Sequence, residues 1–242
     1  MLYLHSILLN TQYGLPAEGS YLYDLPLMKQ LLAGGNISFR RPVTFLAGEN
    51  GSGKSTLLEA LAVLMGFNPE GGSRDFQFST RDSHSELYRY LTPVRGEAYP
   101  ADGFFLRAES FYNTATYLDA NSDLRRYGGR SFHEQSHGEA FLALVDHRFT
   151  GCGLYLMDEP EAALSPQRLL SLLVAIHDLA ERESQLIIAT HSPILMAYPG
   201  AEILWFGEDG VRPVAYKDTE HYRITRDFLN APERMLKYLL EE

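Results

Sequence analysis

The octet Gly48-Glu49-Asn50-Gly51-Ser52-Gly53-Lys54-Ser55 constrains this chain more than any other feature. It fits G-x-x-x-x-G-K-[ST], a loop in which glycines let successive backbone N–H groups turn inward around phosphate oxygens. In such a loop Lys54 reaches the β- and γ-phosphates of a nucleotide, Ser55 offers its hydroxyl to Mg²⁺, and Thr56 bonds the α-phosphate. The flanks agree with that reading. Residues 43–47 form a short apolar, β-favouring run, and Leu57, Leu58, Leu61, Ala62, Leu64 and Met65 recur at helical spacing. Strand, glycine loop and helix in that order put the phosphates at a helix N-terminus, where partial positive charge favours anions.

A second cluster narrows the chemistry. Leu154-Tyr155-Leu156-Met157 is an apolar strand that delivers Asp158 and Glu159. A buried strand does not usually end in paired acids without a cation nearby, because uncompensated charge is costly there. Asp158 is suited to hold Mg²⁺ opposite Ser55, and Glu159 to orient or deprotonate a water in line with the γ-phosphate. His191 ends the next strand, 32 residues after Glu159. One helix plus one strand brings it back beside the carboxylates, which points to γ-phosphate contact. Ser136, with Glu139 three residues on, has the spacing of a capping box. That helix start is either an ordinary cap or a second anion site, which a two-fold dimer would close in trans.

Between these clusters the spacing predicts strands at 2–9 (an edge strand), 37–39, 43–47, 103–108, 154–157, 186–189 and 203–206. Helices are predicted at 25–32, from the phosphate loop to about 65, at 85–91, 136–149, 166–182 and about 233–240. Strands alternating with helices imply an α/β domain with a mostly parallel sheet. The 242 residues and 45% apolar content suffice for one such domain, with residues 68–135 as a polar insertion. The single cysteine, Cys152, is expected to be a buried structural residue and excludes an internal disulfide. No run of about 18 apolar residues crosses a membrane and the N-terminus lacks a basic leader, so the expectation is a cytoplasmic protein without membrane insertion.

The order phosphate loop, Ser136-His137-Gly138-Glu139, Asp158-Glu159-Pro160, Ala163-Leu164-Ser165-Pro166 and Thr190-His191-Ser192 resembles the ABC-type ATPases over about residues 37–206. The likeness is to the stand-alone AAA or RecF-like and SMC-like branch; residues 105–112 and the N-terminal part are similar to a small bacterial group within it. The resemblance implies a P-loop fold with an N-terminal antiparallel β part and a reduced helical lobe. It also implies ATP and Mg²⁺ as cofactors and an ATP-dependent homodimer. Ser136, Gly138 and Glu139 would be the signature, Glu159 the catalytic base, His191 the switch histidine, and residues 163–166 a dimer-contact loop. His137 departs from the family pattern by replacing a glycine. The glutamine expected after the next strand is absent; Glu109 stands at that position as a candidate Mg²⁺-side acid, with Gln77 too early.

What ATP turnover would drive stays open. A nucleic-acid-linked or defence clamp needs a basic face, for which Arg125, Arg126 and Arg130 are candidates, with Arg40, Arg41, Arg74, Arg81, Arg89 and Arg95 elsewhere. The net charge of −10 argues against a uniformly basic coat, and these arginines suit a solvated face or local salt bridges better than a DNA stripe. A transporter subunit needs a helical lobe in the 27 residues between Glu109 and Ser136, which leaves little room. A small-molecule kinase would exclude water, whereas Asp158-Glu159 and His191 favour it as acceptor; a nucleotide sensor is the remaining alternative. The protein partner is unknown. Tyr13, Tyr21 and Tyr23 either pack or stack on adenine.

Overall fold

A computed structural model of the chain describes residues 1–73, 85–121, 123–124 and 129–240. Arg74, Gln77, Arg81, Arg125 and Arg126 lie outside the described residues.

The phosphate-loop strand β3 (Val43–Gly48) lies inside a six-stranded sheet. It is flanked by β7 (Gln185–Ala189) and β8 (Glu202–Gly207), both parallel to it. Beyond β7 come β6 (Gly153–Asp158) and then β5 (Asp102–Arg107), also parallel. Beyond β8, β9 (Gly210–Pro213) closes the other edge antiparallel. All six residues of β3 and of β6 are buried, as expected for strands covered on both faces. Alternation sorts their side chains between two cores: Leu154 and Leu156 point to one, Tyr155 and Met157 to the other.

The first core lies under α1 (Pro26–Leu32), α2 (Lys54–Met65) and a small antiparallel sheet. That sheet is ordered β2-β1-β4, from β2 (Ile37–Ser38), β1 (Leu4–Leu9) and β4 (Leu91–Arg95). β1 is therefore its central strand and not the edge strand the sequence suggests. Its partner β4 was hidden by Pro93, a residue that weakens a strand signal yet is tolerated at a sheet edge. Buried Gln185 ties the two sheets together: its side-chain oxygen accepts the N–H groups of Tyr3 (2.7 Å) and Leu4 (2.8 Å), and its amide donates to the Leu4 carbonyl.

The second core lies under α3 (Phe111–Asn121), α4 (His137–Arg148), α5 (Pro166–Glu181) and the short α6 (Pro193–Met196). Two further helices follow, α7 (Glu220–Asn230) and α8 (Pro232–Leu240), and neither has a buried residue. The helix expected at 85–91 is a 3-10 turn over Glu86–Tyr90. α6, α7 and β9 were not anticipated; α6 and β9 are only four residues each, too short for periodicity to register. Cys152 corrects another expectation: it is exposed, in a left-handed turn at φ 47° before β6. No helix among the described residues is long and apolar enough to cross a membrane.

Candidate active site

The C-terminal ends of β5, β6, β7 and β3 meet in register, and this brings distant residues together. Arg107 lies opposite Asp158, Asp158 opposite Ala189, and Leu46 opposite the same Ala189. The chain leaves β3 through the glycine loop, leaves β6 through Glu159 and leaves β7 through Thr190 and His191.

The loop takes backbone angles that only glycine holds cheaply. Gly48 has φ 146°, and a Cβ there would lie 2.6 Å from the Phe206 carbonyl oxygen. Gly53, at φ 90°, ends the loop against Leu25 Cδ2 at 3.0 Å. Glu49 and Asn50 form the exposed outer turn with Gly51, and Ser52 follows. Lys54 is 4% exposed, with its ammonium donating to the carbonyls of Gly48 (3.0 Å) and Glu49 (2.7 Å). Burial lowers its pKa from the usual lysine value, against the opposing pull of Glu159, Asp158 and Glu161. Ser55 and Thr56 occupy the first turn of α2, both partly buried.

Ser55 Oγ donates to Asp158 Oδ1 at 2.9 Å. Burial pushes the Asp158 carboxyl up to about 6, although the Ser55 bond and Arg107 act against it. Ser55, Asp158, Glu159, Arg107, Ala108, Glu109, His137 and Ala162 line one cavity of about 480 Å³. Glu159 sits at φ 48°, ψ 51°, a left-handed conformation that costs a non-glycine residue roughly 1 kcal/mol or more. His191 Nε2 is 3.7 Å from Glu159 Oε1. Burial lowers the His191 pKa, and nearby Lys54 and His221 lower it further.

Ser136 caps α4 as the spacing predicts: its backbone N–H and its hydroxyl both donate to Glu139 Oε2, at 3.0 and 2.7 Å. Both residues are exposed, and Glu139 also pairs with Arg168 at 3.0 Å. Gly138 is buried, and a Cβ there would meet the Ala163 carbonyl oxygen at 2.9 Å. His137 stands edge-on to Phe111 and borders the same cavity as Asp158. Glu109 is on the cavity rim, 82% exposed. Tyr13 and Tyr21 are exposed, Tyr21 bonding Ser85, and the Tyr23 hydroxyl donates to the Pro16 carbonyl.

Sequence reasoning missed Arg107, Glu161 and His221. Arg107 is the shared cation of three acids: Glu59 (2.6 Å), Glu109 (3.2 Å) and Asp158 (3.4 Å). The available signal was its place two residues before Glu109, at the end of the strand beside Asp158. Arg107→Leu should lower unfolding stability by about 2 kcal/mol, since it leaves two largely buried carboxylates without their cation. Urea unfolding measures this; an unchanged midpoint would show that Ser55 and solvent suffice to hold Asp158. Glu161 accepts the Thr190 hydroxyl (2.8 Å) and the His191 backbone N–H, and so fixes the turn that carries His191. His221 comes from α7, and no spacing rule would have led to it.

Residues 29–109 match a family model described as "AAA domain", and residues 120–197 one described as "AAA domain, putative AbiEii toxin, Type IV TA system". A Haemophilus influenzae protein named "Uncharacterized ABC transporter ATP-binding protein" is 28% identical over 179 residues, covering 66% of this chain and 67% of that protein. The galactose/methyl galactoside import ATP-binding protein MglA of Escherichia coli is 26% identical over a 207-residue alignment that covers 73% of this chain and only 40% of MglA. Among solved structures, cbiO1 from Clostridium perfringens, part of the ABC transporter complex cbiONQ, superposes with a TM-score of 0.53 at 18% identity over 100% of both chains.

Proposed function

We propose, from the premise that this chain is a P-loop ATPase of the ABC type, that it works as a homodimeric clamp, two copies closing on two molecules of ATP and reopening after hydrolysis. The observation that carries this reading is the gathering of Lys54, Ser55, Asp158, Glu159 and His191 at adjoining strand ends, with the Ser136–Glu139 cap exposed near the same cavity. The glycine loop and Lys54 would bind the phosphates, assisted by Thr56 at the α-phosphate. Glu159 would take the proton of the attacking water, and His191 would contact the γ-phosphate.

The Ser55 hydroxyl and the Asp158 carboxylate, 2.9 Å apart, are the hard oxygen donors Mg²⁺ prefers. No larger cluster of metal-ligating side chains occurs among the described residues, which suits an ion that keeps most of its positions for water and phosphate. When bound, Mg²⁺ supplies charge neutralisation at the β- and γ-phosphate oxygens. Glu109 is the candidate for the place a glutamine holds in the family pattern.

The signature role is tested by solution mass with Mg²⁺ and a non-hydrolysable ATP analogue. The native chain should shift from 27.3 kDa to about twice that mass. Ser136→Arg should bind the analogue with unchanged affinity and stay monomeric. If that variant still dimerises, the Ser136 cap is not a trans contact; if it loses nucleotide affinity as a monomer, the helix start acts on its own chain's nucleotide instead.

The clamp's target is proposed to be a nucleic acid or a protein. A DNA partner would contact the exposed Arg130, and its binding would weaken steeply with salt. The names of these relatives favour a second reading, the ATP-binding subunit of a transporter. Co-purification with an integral membrane protein would decide for that reading.

A further inference from the structure

We propose that His221 is a positioning residue for His191, holding it in the tautomer that carries its proton on Nε2, the nitrogen turned toward Glu159. The inference rests on the reading that His191 contacts the γ-phosphate. His221 lies in the first turn of α7 and reaches the site from outside the sheet. Its Nε2 is 2.8 Å from His191 Nδ1, with the ring centroids 5.0 Å apart. Trp205 stands edge-on to the His221 ring, at 5.7 Å, and the Thr219 hydroxyl caps the helix by accepting the Tyr222 N–H.

A contact of 2.8 Å between two imidazole nitrogens needs one proton and one lone pair, so the two tautomers are linked. Two arrangements of the neutral pair are possible. If His191 Nδ1–H donates, His221 must carry its lone pair on Nε2 and its proton on Nδ1. That Nδ1 is buried and has no hydrogen-bond partner among the described residues, so an N–H would be stranded there. The bare His191 Nε2 would then direct its lone pair at the Glu159 carboxylate. If His221 Nε2–H donates instead, His221 Nδ1 is a bare lone pair and His191 Nε2–H points at the Glu159 carboxylate, 3.7 Å away. Each arrangement leaves one buried N–H without a hydrogen-bond partner among the described residues, on His221 Nδ1 in the first and on His191 Nε2 in the second. They differ at Glu159: the first sets a lone pair against the carboxylate, whereas the second turns an N–H toward it and leaves His191 a neutral N–H donor for a phosphate oxygen.

The charged groups around the pair are Lys54, Glu159 and Glu220. Burial lowers the pKa of both histidines and Lys54 lowers it further, while Glu159 favours a charged His191 and Glu220 a charged His221. The net direction is toward the neutral pair the argument requires.

The test combines steady-state kinetics, ATP affinity and histidine ¹⁵N NMR on the full chain. His191→Ala is the reference: hydrolysis at the native rate in that variant means the γ-phosphate reading itself is wrong. With His191→Ala slow, His221→Phe should lower kcat roughly tenfold and leave KM and ATP affinity within about twofold. His221→Gln, whose amide N–H can replace Nε2–H, should keep at least about half of native kcat. The double variant should be no slower than His191→Ala, because His221 acts through His191. In the nucleotide-free native protein the His191 ¹⁵N shifts should show a protonated Nε2 and a bare Nδ1, and His221→Phe should mix the tautomers. A native rate together with an unchanged His191 tautomer in His221→Phe overturns the proposal. Should His221→Phe not fold, His221→Asn, too short to reach His191, takes its place with the same expected outcomes.

Discussion

Lys54→Ala is expected to weaken ATP binding by at least about a hundredfold, roughly 3 kcal/mol, and to abolish measurable hydrolysis. The buried ammonium is already aimed into the loop by the Gly48 and Glu49 carbonyls, so little conformational freedom remains to be lost when phosphate oxygens arrive. Charge-assisted bonds of this kind contribute more than neutral ones, and here they form away from bulk water. The fold should survive, because Glu49 is exposed and the space the lysine vacates lets water reach the two freed carbonyls. Isothermal titration with ATP, alongside a thermal melt, separates the two effects. Affinity within threefold of native would mean that the backbone N–H groups alone hold the phosphates and that the lysine is a structural plug.

Glu159→Gln should bind ATP within about threefold of the native affinity and hydrolyse it at least a hundredfold more slowly, since the amide cannot accept the proton of the attacking water. The closed dimer should then accumulate with ATP itself. A companion variant tests the strain at this residue. Glu159→Gly removes the same carboxylate and also releases the left-handed conformation at φ 48°, so it should melt higher than Glu159→Gln by about 1 kcal/mol of stability. Single-turnover hydrolysis and urea unfolding are the two measurements. Native-rate hydrolysis by the glutamine variant would remove Glu159 as base. Equal stability of the two variants would show that neighbouring bonds impose the conformation at no cost.

The residues proposed to act on the nucleotide were legible where sequence order coincides with spatial order. Glycine loop, paired acids and His191 each end a buried strand, and a parallel sheet places all such ends on one edge. That is why Glu159 and His191, 32 residues apart, could be brought together on paper and are 3.7 Å apart in the fold. Side chains that enter from outside this pattern were not legible. Arg107 looked like an ordinary strand-end charge until the β5–β6 register set it opposite Asp158. His221 required the path of α7, and no hydrophobic face buried within the chain marks that helix as belonging to the site. The misplacement of β1 has the same origin. A strand's neighbours depend on partners far along the chain, and Leu4 finds its own in Arg95 and in the side chain of Gln185.

The sheet order also carries a consequence for how the chain is made. β3 is synthesised well before its neighbours β7 and β8, whose last residue is 207. The phosphate loop is therefore complete in sequence some 150 residues before the strands that brace it exist. Until then β3 is an unpaired apolar segment with two open edges, the kind of surface that chaperones bind and aggregates grow from. The Gln185 contacts form late as well, since Tyr3 and Leu4 find their anchor only after the acid pair has been synthesised. Nascent chains halted before residue 207 should thus be sensitive to protease and blind to ATP, so synthesis of the proposed nucleotide site finishes late although its glycine loop comes early.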